Sequence, residues 1–309
     1  MNIDVLPYKR RNKKVIMDNK ALTRFFYWMH ERHAIYLKRK AGLSWPWSDD
    51  PILQTFKFTN VFRELDAGTV WCRENIRGPY TDHPELFFNI AVYRRHNLIA
   101  TGEALGFIEH YNPIWAMEKM YERRAQGKAI FTGAHMTCGT IRDANGNIPP
   151  DKIIQIFGIA FEHLWQIRHE IEPQPGDTLQ TAYERMLKMH PPGYGAFITY
   201  EVITDLRWTR YLQDAYDTHM WANPGPGAKR GIQRLYGQQD AKGLSFSYND
   251  YVDIMRWLMK SFNKGKLEWM PSVEMRDIEH SLCEFDKYMR VLLGQGRPRQ
   301  KFTPPHLRK

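Results

Sequence analysis

The residues with the most chemical potential lie between Leu187 and Gly231. Pro192-Gly193-Tyr194-Gly195 separates two stretches of helical periodicity, and Asp217-Thr218-His219 follows, with Asp217 24 residues beyond Gly193. A glycine-rich turn lets backbone N–H groups approach a DNA phosphate, and the N-terminus of the next helix favours negative charge there. The same tetrapeptide also suits an ordinary helix-to-helix turn. Asp217 can serve as a base or stabilise a developing positive charge, with His219 orienting it or shuttling the proton. Helix capping is the plainer role for Asp217, and a structural position the plainer one for His219. Lys229 and Arg230, in the Gly/Pro-rich run from Trp221 to Gly231, join Gly193, Tyr194 and Gly195 as candidate DNA contacts.

Two further groups stand out. Glu279, His280, Cys283, Glu284 and Lys287 recur at spacings of three and four, so they share a helical face. A polar stripe on an otherwise apolar helix favours a site, with Cys283 as a small buried member. The run from Lys57 to Asp66 holds Lys57, Asn60, Arg63, Glu64 and Asp66. It reads either as a substrate-binding segment or as an internal salt-bridge ladder. Arg94 is one more candidate cation for an anionic leaving group. Trp45, Trp47 and Trp221 fit either a stacking platform for a base or the core.

These groups need a scaffold, and the periodicity predicts an all-α one. Helices are expected over about 21–41, 52–74, 84–96, 101–108, 113–126, 151–171, 177–189, 196–206, 208–215, 228–236, 248–263 and 272–293. The Gly-rich segment 127–149 reads as a hairpin or an ordered loop. The expected organisation is a basic arm and first helix (1–44), a helical catalytic domain (45–293) and a basic tail (294–309).

Composition narrows the function. The 309 residues are 43% hydrophobic and 14% aromatic, enough for one large core or two fused lobes. With 44 Lys and Arg against 34 acidic residues, the net charge of +10 favours a polyanionic partner, nucleic acid before membrane. Three scattered cysteines lack zinc or iron–sulfur spacing and fit a reducing compartment. No apolar stretch approaches the roughly 20 residues that span a bilayer, and the polar, basic start has no secretion signal.

The hairpin, its spacing and the Asp217 triplet together resemble the helix-hairpin-helix DNA glycosylases, in which the Asp of such a triplet is catalytic. Phe197 replaces the Schiff-base lysine of the bifunctional members, so lyase chemistry is not implied. Three blocks carry a closer resemblance: Trp47 to Leu53 with Lys57 to Asp66, then Trp221 to Gly231, then Asp277 to Lys287. They are similar to the helical domain attached to 5-hydroxymethyluracil DNA kinases. The same domain stands alone in the α-glutamyl/putrescinyl-thymine pyrophosphorylases, the amino acid:DNA transferases of phages. The resemblance implies a glycosylase-like helical fold of two lobes with a DNA cleft, acting in the cytoplasm of the infected bacterial host. Its implied partners are double-stranded phage DNA carrying modified thymine and a small amine or amino acid, with no membrane. The implied reaction displaces pyrophosphate from 5-pyrophosphoryloxymethyl-deoxyuridine. No G-x-x-x-x-G-K-[ST] phosphate loop is present, which favours transferase over kinase. Asp217 and His219 would be catalytic. Lys57, Asn60, Arg63, Glu64, Arg94, Glu279, His280, Glu284 and Lys287 would hold pyrophosphate or substrate. No cofactor is required, beyond at most a structural monovalent cation at the hairpin. A glycosylase acting on a modified thymine, or a non-catalytic DNA-binding partner of a kinase, remain the alternatives.

Overall fold

A computed structural model describes residues 8–10, 13–133, 140–237, 244, 246–298 and 300–304. Among the described residues the fold is all-helical apart from a short antiparallel ribbon, β1 (Tyr8–Arg10) and β2 (Lys13–Val15), in which Lys9 lies opposite Lys14. The helices are α1 (Asn19–Lys40), α2 (Pro51–Thr55), α3 (Ala67–Cys72), α4 (Leu86–His96), α5 (Ile99–Leu105) and α6 (Pro113–Ala125). They continue as α7 (Phe161–Ile171), α8 (Leu179–Lys188), α9 (Ala196–Leu206), α10 (Pro226–Leu235), α11 (Tyr248–Gly265) and α12 (Met275–Leu292). No helix among the described residues is long and apolar enough to cross a membrane. Part of the segment 127–149 lies outside the described residues, and the rest is loop.

The chain forms two compact units. Unit 1 combines residues 1–66 with 218–309, and unit 2 comprises residues 67–217. In unit 1, Asp18 caps α1 by accepting from the Lys20 and Ala21 N–H groups, and Lys38, Arg39 and Lys40 complement its C-terminal dipole. The buried stripe of α1 (Leu22, Phe25, Met29) packs near α10 and α12, with Phe25 edge-on to Phe285 at 5.3 Å. Two glycines let α10 and α12 approach closely. A Cβ on Gly231 would land on the Leu282 carbonyl, and one on Gly227 on the Cys283 sulfur. The fully buried Asp286 of α12 then draws in Arg230 and Arg234 of α10 at 2.8 and 2.7 Å.

In unit 2, α4 is buried on every side, as expected of a central helix. Phe88 meets Trp165 of α7, and Arg94 forms a fully buried pair with Asp205 of α9. The left-handed Asn97 ends α4.

Two expected helices are absent. Residues 52–74 do not form one helix. α2 stops at Thr55, residues 57–62 run without regular structure, and a 3₁₀ turn (Arg63–Leu65) precedes α3. Backbone groups in this stretch bond tail and side chains instead: Lys57 N–H donates to the Gln300 carbonyl, and Asn60 N–H to Asp66. Residues 208–215 form turns, in which the Thr209 hydroxyl donates to the Leu206 carbonyl.

Candidate functional site

Unit 1 gathers the two polar groups seen in the sequence. The loop 57–66 lies against α12, and a capping box of Glu274 and Asp277 starts that helix. Glu284 accepts the Thr59 N–H at 3.1 Å and pairs with Lys287 at 2.7 Å. The Thr59 hydroxyl and His280 Nε2 are hydrogen-bonded, and the Lys287 ammonium sits 4.9 Å from the Phe58 ring centroid. Within the loop, Asp66 accepts the Asn60 N–H at 2.8 Å and Arg63 Nη1 at 2.7 Å, while the Asn60 amide donates to the Leu65 carbonyl. Arg276 faces Glu64 at 3.6 Å. Glu279 reaches the other way and accepts the Gly225 N–H at the start of α10.

The residues of the two sequence-selected groups thus share one neighbourhood, although Lys57 is exposed at its edge. The ladder reading of Arg63, Glu64 and Asp66 fits the Arg63–Asp66 ion pair at 2.7 Å. Three residues escaped the sequence reading. Arg32 of α1 sends Nε and Nη2 to the Phe58 carbonyl at 3.4 and 3.2 Å. Its signal was hidden in a helix with many surface cations. Arg276 and Asp277 sit at the start of α12, where capping is the default explanation. Burial, with help from the Glu274 charge, raises the Asp277 carboxyl to about 7, against backbone hydrogen bonds from Glu274 and Arg63 and the Arg276 charge. The cluster therefore combines guanidinium and ammonium groups with a carboxyl able to exchange a proton near neutrality. Burial raises the Cys283 thiol to about 12, aided by Glu284 and Glu279, so it stays protonated below Gly227.

Several candidates have structural contacts of their own. Burial alone would lower the Arg94 pKa, but the Asp205 charge and hydrogen bonds carry it well above the ordinary value. Its guanidinium bonds Asp205 at 2.5 and 2.8 Å and Thr69 at 3.0 Å, so it anchors α4 to α9 rather than meeting a leaving group. Arg230 is drawn to Asp286, and Lys229 lies 5.4 Å from the Tyr251 ring centroid. Trp47 and Trp221 are buried, with indole N–H groups donating to the Leu43 carbonyl and the Tyr248 hydroxyl, which makes them core residues.

In unit 2 the hairpin is a tight turn. Tyr194 N–H returns to the Pro191 carbonyl, and Gly193 adopts φ +82°, a value glycine takes without strain. Tyr194 is not a surface contact. It is 2% exposed, and its hydroxyl donates to the Ala91 carbonyl. Gly195 caps α9 with open space where a side chain would project. Asp217 is buried, and each carboxylate oxygen accepts a backbone N–H at the start of α8, Leu179 at 2.9 Å and Gln180 at 3.0 Å. His219 belongs to unit 1, is exposed, and meets the Thr218 hydroxyl at 3.2 Å rather than serving as an orienting partner for Asp217.

These features define a helical protein with a cation- and carboxylate-lined centre. The chain belongs to the family described as 5-hmdU DNA kinase, helical domain, which it matches over residues 19–297. Among curated proteins, the 5-hmdU DNA kinase of Bacillus phage SP10 is 28% identical over 293 residues, covering 85% of this chain and 44% of that relative. The chain therefore spans less than half of the relative's length. No solved structure matches it. The relation to the kinase helical domain, drawn from three sequence blocks, is borne out.

Proposed function

We propose that this chain is an amine:DNA transferase that acts on a 5-pyrophosphoryloxymethyl pyrimidine in phage DNA. The observation that carries the reading is the convergence of loop 57–66 and α12 on one centre rich in cations and carboxylates. In the reaction, the C–O bond between the exocyclic methylene and pyrophosphate breaks, a C–N bond forms to the incoming amine, and the amine gives up a proton. Arg63, Arg276 and Lys287 neutralise the departing oxyanion. Glu284 or His280 accepts the proton. Binding a flipped base costs a few kcal/mol of unstacking, and the basic surface of the chain favours that encounter. Membership in the kinase helical-domain family supports a DNA partner bearing modified thymine.

The test is mass spectrometry of nucleosides after incubating the protein with pyrophosphorylated DNA and a panel of amines. A new amine on an intact nucleotide is the expected product. Lys287→Ala should slow transfer at least tenfold while DNA affinity stays within a few-fold. Abasic sites would identify a glycosylase. Tight DNA binding without covalent change would identify a recruiting module, a reading that the kinase relative also supports.

A further inference from the structure

Arg32 is the odd cation of unit 1. Three cations of the loop and α12 each have a carboxylate: Arg63 has Asp66, Arg276 has Glu64, and Lys287 has Glu284. Arg32 is 6% exposed and forms no ion pair with any described residue, its only hydrogen bonds being to the Phe58 carbonyl. Its Nη1 is buried and finds no hydrogen-bond partner among the described residues. A buried, unpaired guanidinium costs several kcal/mol, and native structures rarely leave such a group unexplained. Burial lowers its pKa to about 10, with the Asp66 and Glu284 charges opposing that and Arg39 adding to it. It nonetheless remains cationic at neutral pH.

The surroundings show the same deficit. Asn60 Oδ1, on the loop that Arg32 holds, also finds no partner among the described residues. His33, next to Arg32, is kept neutral by burial and by the Arg32 and His30 charges, its pKa pushed down to about 4, so it adds no competing charge. A buried donor without an ion-pair partner, holding a loop in which Arg63 is already paired with Asp66, is the pattern of a site awaiting an anionic group.

We propose that Arg32 binds a phosphate oxygen of the ligand, pyrophosphate on the substrate or after its release, and so anchors the leaving group from beneath loop 57–66. This rests on the transferase reading for the identity of the ligand, while the anion site itself stands on the geometry of α1 and the loop. A guanidinium suits the task because it offers paired donors in one plane and keeps its charge when buried.

The test is calorimetric titration of the full chain with inorganic pyrophosphate, using wild type, Arg32→Lys and Arg32→Gln, with thermal melting to show that each variant is folded. Arg32→Lys keeps the charge and a donor for the Phe58 carbonyl but loses the planar fork, so it guards against simple loss of the loop. Wild type should bind pyrophosphate, Arg32→Lys at least tenfold more weakly, and Arg32→Gln more weakly still. Equal affinity in wild type and a folded Arg32→Lys overturns the proposal. So does a wild type with no affinity. If wild type binds pyrophosphate through Arg32 but transfers no amine to DNA, the anion site stands and the transferase reading falls. If it transfers amine while Arg32→Lys binds pyrophosphate normally, the reverse holds.

Discussion

Replacing Asp217 with Asn separates a structural role from a chemical one. α8 begins with donors that have no partner within the helix. Thr178 serves the Thr181 N–H through its hydroxyl, and Asp217 serves Leu179 and Gln180, one with each oxygen. Asparagine retains one acceptor and turns an NH₂ group toward the other N–H. The loss of one charge-assisted hydrogen bond is worth about 1.5–3 kcal/mol. The loss of negative charge at a helix N-terminus adds about 0.3–1 kcal/mol. The sum, roughly 2–4 kcal/mol, should lower the melting temperature by about 5–15 °C for a unit of this size. Differential scanning calorimetry gives that number directly, and amine transfer measured well below the lowered transition should stay within about threefold of wild type. An Asp217→Asn protein that melts like wild type but transfers nothing would refute the reasoning and restore the carboxylate to the chemistry.

Three other outcomes follow from the geometry. Gly195→Asp places a capping carboxylate at the start of α9, in open space and at an extended φ of −74°. It should leave stability unchanged or raised by a few tenths of a kcal/mol, yet weaken binding to unmodified duplex and flatten its salt dependence if the hairpin meets phosphates; undiminished binding assigns the turn to structure alone. Gly231→Ala forces a methyl onto the Leu282 carbonyl and should destabilise by about 1–3 kcal/mol or more in urea titration. His96 is buried, with its pKa pushed down to about 3 by burial and the Arg123 charge. Its folded value is below its unfolded one, so stability is complete above about pH 6.5 and is lost as pH falls toward 3. His96→Asn should therefore lose less melting temperature between pH 7 and 5 than wild type does.

Much of the scaffold was legible because amphipathic periodicity and local caps agree. α1, α11 and α12 each carry an apolar stripe and a nearby Asp, Ser or Glu cap, and their bounds fall within a few residues of expectation. The 52–74 stretch was not legible, because Glu284, Asp66 and the tail carbonyl of Gln300 compete successfully for its backbone donors, and two of these, Glu284 and Gln300, lie far away in the chain. The polar stripe of α12 revealed one side of the candidate site. Its other side includes Arg32, a single cation in a helix that also carries Lys20, Arg24, Lys38, Arg39 and Lys40. Spacing cannot tell a buried arginine from a solvated one. The helix-capping role of Asp217 was legible as chemistry, but its helix starts 38 residues earlier.

Unit 1 is built from both sides of a long interruption, and this bears on how the protein is made. α1 emerges early, yet its partners α10 and α12 come after all of unit 2. At about 5–20 residues per second, the ribosome needs roughly 10–50 s to pass from α1 to α12. Throughout that interval Leu22, Phe25 and Met29 have no permanent cover, while unit 2 has its whole sequence available as soon as residue 217 is made. Nascent chains stalled before α10 should therefore be bound by holdase chaperones through α1, and those stalled after α12 should escape them.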